Sequence, residues 1–263
     1  MSLRGVKRRS NLVLKLKRLV FQRFLFIILW MEVLTVNRIM KIFESTKKSS
    51  FYLLITIGCL WGLVEAGAGV ILKNSCARLY SGSILTGTAF LFFAAAYVVS
   101  NRLLLLLLLP LLTGLFRLYG AGLSGTPVIS GAVANPAYAL FVETLAFIII
   151  VSLMKESLLR TFRGKVLVGI IGTIFSANMF LPVKLFTGIS ACVVPGTSFP
   201  LVIWGLPVAI IVGAFSAPLG FKLGEMIQHN VESQDIRPRV LFQRSSLVVS
   251  ALCFVIITII YSL

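Results

Sequence analysis

Acidic side chains are scarce in this chain: eight, against 25 lysines and arginines and one histidine, among 263 residues. No HExxH motif, Walker loop or paired acidic metal motif occurs, so metalloprotease and ATPase readings lack their chemistry. The sequence implies neither a cofactor nor a metal. The four cysteines (Cys59, Cys76, Cys192, Cys253) form no CxxC pair. Cys59 and Cys253 fall in apolar runs as small core residues, whereas Cys76 and Cys192 fall in loops on one side and leave a disulfide open. Polar stretches long enough to build a folded RNA- or DNA-binding domain are also missing, so the net charge of +17 is no nucleic-acid footprint. What fills the chain instead is apolar: 58% hydrophobic residues, 13% charged, mean hydropathy +1.01. Such a composition excludes a water-exposed globule and predicts an all-α, polytopic transmembrane helix bundle.

Seven stretches are apolar and long enough to span: 51–72, 82–100, 103–119, 136–154, 166–187, 200–221 and 246–262. The third is the weakest and contains Pro110, so the expectation is six to seven spans. Arg102 and Arg117 at its ends can snorkel to the two interfaces. Ser100, Asn101 and Arg102 make a tight connection between the second and third spans. The organisation expected is a basic N-terminal segment (1–39), a six-helix membrane core (40–223), a cytoplasmic linker (224–245) and a C-terminal transmembrane helix (246–263). Residues 1–39 read as an interfacial basic amphipathic segment, or as sequence ahead of a translation start at Met31 or Met40.

Orientation follows from where the cations fall. Lys41, Lys47, Lys48, Arg102, Lys155, Arg160, Arg163, Lys165, Lys222, Arg237, Arg239 and Arg244 lie on one side. Lys73, Arg78, Arg117 and Lys184 lie on the other. The positive-inside rule then predicts a cytoplasmic-membrane protein with its N-terminal side inside and its C-terminus outside.

Two carboxylates stand inside apolar runs, where a charge is costly and normally faces protein or water. Glu65 shares a helical face with Gly58, Gly62 and Gly69, a small-residue stripe suited to close packing. Glu143 repeats the arrangement between Ala139 and Ala146. Helical rise puts Glu65 about 5 Å from mid-membrane toward the outer face and Glu143 at nearly the same level. Arg117 and Lys184 lie roughly 9–11 Å out on that side, and Asn178 lies near the middle of the fifth span. Glu65, Glu143, Asn178 and Arg117 therefore form the candidate substrate-binding set, in which the glutamates would recognise a cationic or hydrogen-bond-donating group. The competing reading is structural: the acids pair with Arg117 and Lys184 to hold helices together, and Asn178 makes a helix–helix hydrogen bond. Trp61 and Trp204 read as packing or lipid-facing residues. The Gly-rich stretch from Tyr119 to Asn135 reads as a long outer loop able to act as a lid.

Gly122-Leu123-Ser124-Gly125 resembles the G-x-S-G signature of rhomboid intramembrane proteases. The single histidine, His229, falls on the opposite side, so no catalytic residue is assigned and no enzyme is expected. A wider resemblance is carried by GCLWGLVEAGAGVILK (Gly58–Lys73), the connection ending at Arg102, and NPAYALFVETLAF (Asn135–Phe147). These look like small prokaryotic integral membrane proteins similar to the substrate-binding S components of energy-coupling factor transporters. That resemblance implies six helices that bind a small solute from outside, docked on a transmembrane coupling subunit with ATPases. The chain departs from the family in having Gly58 and Gly62 where an AxxxA contact is expected, and in its seventh span. It carries no vitamin-specific or His-rich metal motif.

Overall fold

The computed structural model describes residues 48–68, 80–183, 193–232 apart from 195 and 197, and 236–262. Lys73, Cys76, Arg78, Lys184, Cys192 and the basic segment 1–39 lie outside them.

All long elements are helices. The first, α1, runs Lys48–Leu63 and continues through a π-turn, Val64–Ala68. It is followed by α2 (Ser81–Ser100) and by a 3₁₀ turn, Leu103–Leu107, leading into α3 (Leu108–Leu123). Next come α4 (Gly131–Leu153), α5 (Phe162–Phe180), α6 (Leu206–Glu232) and α7 (Ile236–Ser262). Local chemistry sets the joints. Asn101 ends α2 in the left-handed region (φ 49°), its N–H donating to the Tyr97 carbonyl. Thr161 caps α5 by accepting from the Gly164 N–H at 3.0 Å.

Among the described residues, five helical stretches are long and apolar enough to cross a membrane: Ser50–Gly67, Ser81–Ser100, Leu103–Leu123, Val133–Leu153 and Leu206–Asn230. The apolar part of α7, Ser245–Tyr261, is shorter. In α5 the first turn carries Arg163 and Lys165. The chain is thus an all-helical membrane-type protein, and large apolar side chains such as Leu115, Phe215 and Val255 face outward as lipid contact requires.

Packing divides the helices into two sets. Helices α1, α3 and α7 run parallel: the Gly58 and Gly62 positions are closed by Leu112 and Phe116 of α3, and Gly67 by Ile260 and Ile257 of α7. Cys59, Ala66, Phe116, Cys253 and Ile257 form the small core of this triad. Ser246 of α7 donates to the Tyr52 carbonyl at 2.8 Å and also shares a hydrogen bond with Thr56 of α1. Ser246→Ala should lower bundle stability by ~0.6 to ~1.7 kcal/mol, the range of interhelical hydrogen bonds in membranes, measured by unfolding in mixed micelles. No loss at all would mean that α7 is held by apolar packing alone.

The second set brings α2, α4 and α6 together in parallel, with α5 antiparallel to α6. A side chain at Gly220 or Gly224 of α6 would meet the backbone of α2 at Leu91 or Ala95, so the two helices touch main chain to main chain. Gly169 of α5 faces the Gly213 backbone of α6 in the same way. Phe90 and Phe93 of α2 and Phe147 of α4 fill the centre, with Trp61 of α1 edge-on to Phe93.

Two expectations change. The Tyr119–Asn135 stretch is mostly helix: α3 continues to Leu123 and α4 starts at Gly131, leaving 124–130 as the connection. Glycine disfavours a helix in water, but here Gly120 packs against the Tyr261 ring, and backbone that meets lipid must satisfy its own hydrogen bonds. Residues 224–245, expected as a linker, are likewise helical up to Glu232 and again from Ile236. The close approach of Gly224 to α2 extends α6 beyond its apolar run.

Candidate functional site

Alternation of the helices brings one end of each of six helices to a common level: the π-turn end of α1, the start of α2, the end of α3, the start of α4, the end of α5 and the start of α6. A cavity of about 820 Å³ lies there, within the size range of small-molecule sites. Its wall is mainly apolar and carries Glu65, Arg117 and Glu143. Both carboxylates are buried, Glu65 at 7% and Glu143 at 6% exposure.

Their surroundings differ. Glu65 stands in the π-turn, a wide turn that recurs at functional positions in helices. The Arg117 Nη2 of α3 donates to Glu65 Oε1 at 2.5 Å, and both side chains are about nine-tenths buried. This is a charge-assisted pair shielded from water. Arg117 Nε is also buried and has no hydrogen-bond partner among the described residues.

Glu143 has no cation in contact among the described residues. Thr86 of α2 donates its hydroxyl to Glu143 Oε1 at 2.6 Å. The charges of Glu65 and Arg117 are close enough to act on Glu143 electrostatically. One turn further along α4 and α2, Phe147 and Phe90 pack ring to ring with centroids 6.1 Å apart. Tyr138 of α4 donates to the Met179 carbonyl of α5 at 3.1 Å, bracing the helix that carries Glu143 against α5.

Glu65, Glu143 and Arg117 are therefore brought together as their depths suggested. Asn178 is not. It is exposed on α5, and its amide donates back to the Ile174 carbonyl at 2.8 Å. The face of α5 that lines the cavity is Thr173, Ser176, Ala177 and Phe180. Asn178 makes no interhelical bond among the described residues, so the depth estimate gives its level along α5 but not the side it faces. Lys184 lies outside the described residues.

Sequence reasoning also missed lining residues. Ser81, Ser83 and Thr86 come from the start of α2, and Asn135 from the stretch taken as loop. Hydroxyl residues at the same end of two neighbouring spans, Ser83 and Thr86 with Thr173 and Ser176, were the signal that could have found them. Trp61 is fully buried against Phe93, and Trp204 is half-exposed. Neither lines the cavity. Ser124 ends α3 and His229 lies near the far end of α6. The Ser124 hydroxyl donates to the Ala121 carbonyl and shares a hydrogen bond with Thr126.

No protein-family model, curated protein or solved structure matches the chain.

Proposed function

We propose that this is a multi-pass protein of the cytoplasmic membrane that binds a small solute in the outer half of the bilayer, as the substrate-binding component of a transport system. The observation that carries the reading is the cavity itself: about 820 Å³ inside a helix bundle, with two buried carboxylates and a guanidinium on an otherwise apolar wall. Burying three ionisable groups beside a cavity costs more than packing requires, and intramembrane acids are functional by default. The bundle crosses the bilayer six or seven times, with the N-terminal side inside and the C-terminus outside, by the distribution of lysine and arginine. The resemblance of Gly58–Lys73 and Asn135–Phe147 to coupling-factor S components adds a transmembrane coupling subunit with ATPases as partner. The chain carries no ATP-binding loop of its own. No catalytic step is assigned.

Filling the cavity tests the reading. Ala139, on the α4 face of the cavity, is changed to Trp, and both forms are screened for solute-induced rises in thermal midpoint. Solutes of this site stabilise the parent protein and lose that effect, about tenfold or more in affinity, in Ala139→Trp. Equal shifts in both forms would sink the proposal. Purification from native membranes checks the partner: co-purifying ATPase subunits support it, and a homogeneous oligomer alone removes it.

One observation favours a second reading, an assembly protein whose polar groups serve packing. The Glu65–Arg117 pair joins α1 to α3 and forms without any ligand. It does not account for Glu143, which no cation neutralises among the described residues.

A further inference from the structure

The contacts of the two carboxylates divide their roles. Glu65 is engaged by the Arg117 guanidinium, whose only bonded acceptor among the described residues it is. Among the described residues, Glu143 is met by the neutral hydroxyl of Thr86 alone. With its groups ionised, the described wall carries two negative charges and one positive, a surplus of one negative charge in an apolar setting. Desolvation makes that surplus costly unless a proton on Glu143 relieves it or a positive charge enters with the solute and takes the proton's place. A second mark is Arg117 Nε, a donor on a side chain nine-tenths buried, with no acceptor among the described residues. A lone pair on a bound solute would satisfy it.

Resting on the solute-binding reading above, we propose that the cavity takes an amphipathic organic monocation bearing a neutral hydrogen-bond acceptor beside its charge. The cation pairs with Glu143, the acceptor takes the Arg117 Nε–H, and an apolar body lies against Leu85, Phe180 and Leu206. Glu143 is the residue that reads the ligand, and Glu65 positions Arg117. An anion would raise the surplus to two, and a zwitterion would leave it at one. A net cation brings it to zero.

The test uses four probes of one shape: naphthyloxyethylammonium (cation with an ether acceptor), naphthylpropylammonium (cation alone), naphthyloxyethanol (neutral) and naphthyloxyacetate (anion). Each is titrated into the full chain in nanodiscs, with thermal midpoint and equilibrium binding as readouts. The ether-ammonium probe should bind tightest, and the plain ammonium about tenfold weaker for want of the acceptor. The alcohol and the carboxylate should produce no shift. Glu143→Gln, which keeps an oxygen for Thr86, should remove ammonium binding, and Thr86→Ala should weaken it while leaving the fold intact.

Ammonium binding that persists undiminished in Glu143→Gln or in Ala139→Trp would be bilayer partitioning and would overturn the proposal. Preference for the alcohol or the carboxylate, blocked by Ala139→Trp, would overturn the cationic class while keeping the cavity as a solute site. Absence of any shift from all four probes, together with no hit in the wider screen, would remove both readings. Lys184→Met supplies a last arm. Cation binding that appears only in that variant would mean Lys184 balances Glu143 in the native protein, and the proposal falls.

Discussion

Replacing Arg117 by methionine should cost the bundle about 3–5 kcal/mol of unfolding free energy, the loss seen when one member of a buried ion pair is removed. The cost arises because Glu65 stays behind, at 7% exposure, without the one cation bonded to it among the described residues. Methionine keeps most of the aliphatic stem, so lost packing contributes little. The companion experiment is the double variant Glu65→Met with Arg117→Met. Apolar replacement of a whole buried pair is often neutral or stabilising, so the double variant should unfold later than the Arg117 single variant. Denaturant unfolding in mixed micelles reads both. Equal loss in the single and double variants would mean that the pair contributes through shape alone. Solute binding separates the roles further: the Arg117 single variant removes the positioned guanidinium, while Glu143→Gln removes the reading carboxylate with a smaller stability change.

An effect of comparable size is expected at the crossing of α5 and α6. Gly169→Val should cost at least the ~3 kcal/mol that marks the upper range of ordinary overpacking, and should show as loss of monodisperse protein and a lowered thermal midpoint. The reason is what the new side chain would strike. At Gly169 it meets the carbonyl of Gly213, and main chain cannot swing aside as a flexible side chain can. Gly114 of α3 is the control, because a Cβ there meets nothing within 4 Å. Gly114→Ala should be neutral or slightly stabilising, since alanine is the better helix former. If the two substitutions behaved alike, main-chain contact would not be what holds α5 to α6.

Much of the site was legible because charge is rare here. A carboxylate in an apolar run announces itself, and rise per residue gives its depth. That was enough to put Glu65, Glu143 and Arg117 at one level, and the Gly58–Gly62 stripe marked the face on which α3 packs. Depth says nothing about azimuth, however. Asn178 is where its number puts it along α5, yet it points away from the cavity that Thr173, Ser176 and Ala177 line. An apolar residue faces lipid as readily as protein, so the inner face of α5 was marked only by its small and hydroxyl residues, Gly169, Gly172, Thr173 and Ser176. Thr86 was invisible for a related reason: threonine passes unnoticed in a span because its hydroxyl can bond to its own helix. Gly120 to Leu123 reads as loop from its glycines, but next to lipid unsatisfied backbone is more costly than glycine's entropy, and the helix continues.

The π-turn at Val64–Ala68 also acts as a phase shifter for α1. In an α-helix each residue turns the chain by about 100°, and five residues on from Gly62 the helix would present nearly its opposite side. A wider turn rotates less per residue. Gly67 is thereby held within reach of Ile260 of α7, while Gly62, one turn earlier, faces Phe116 of α3. One helix thus keeps two neighbours in step, and the residue at the changeover is Glu65.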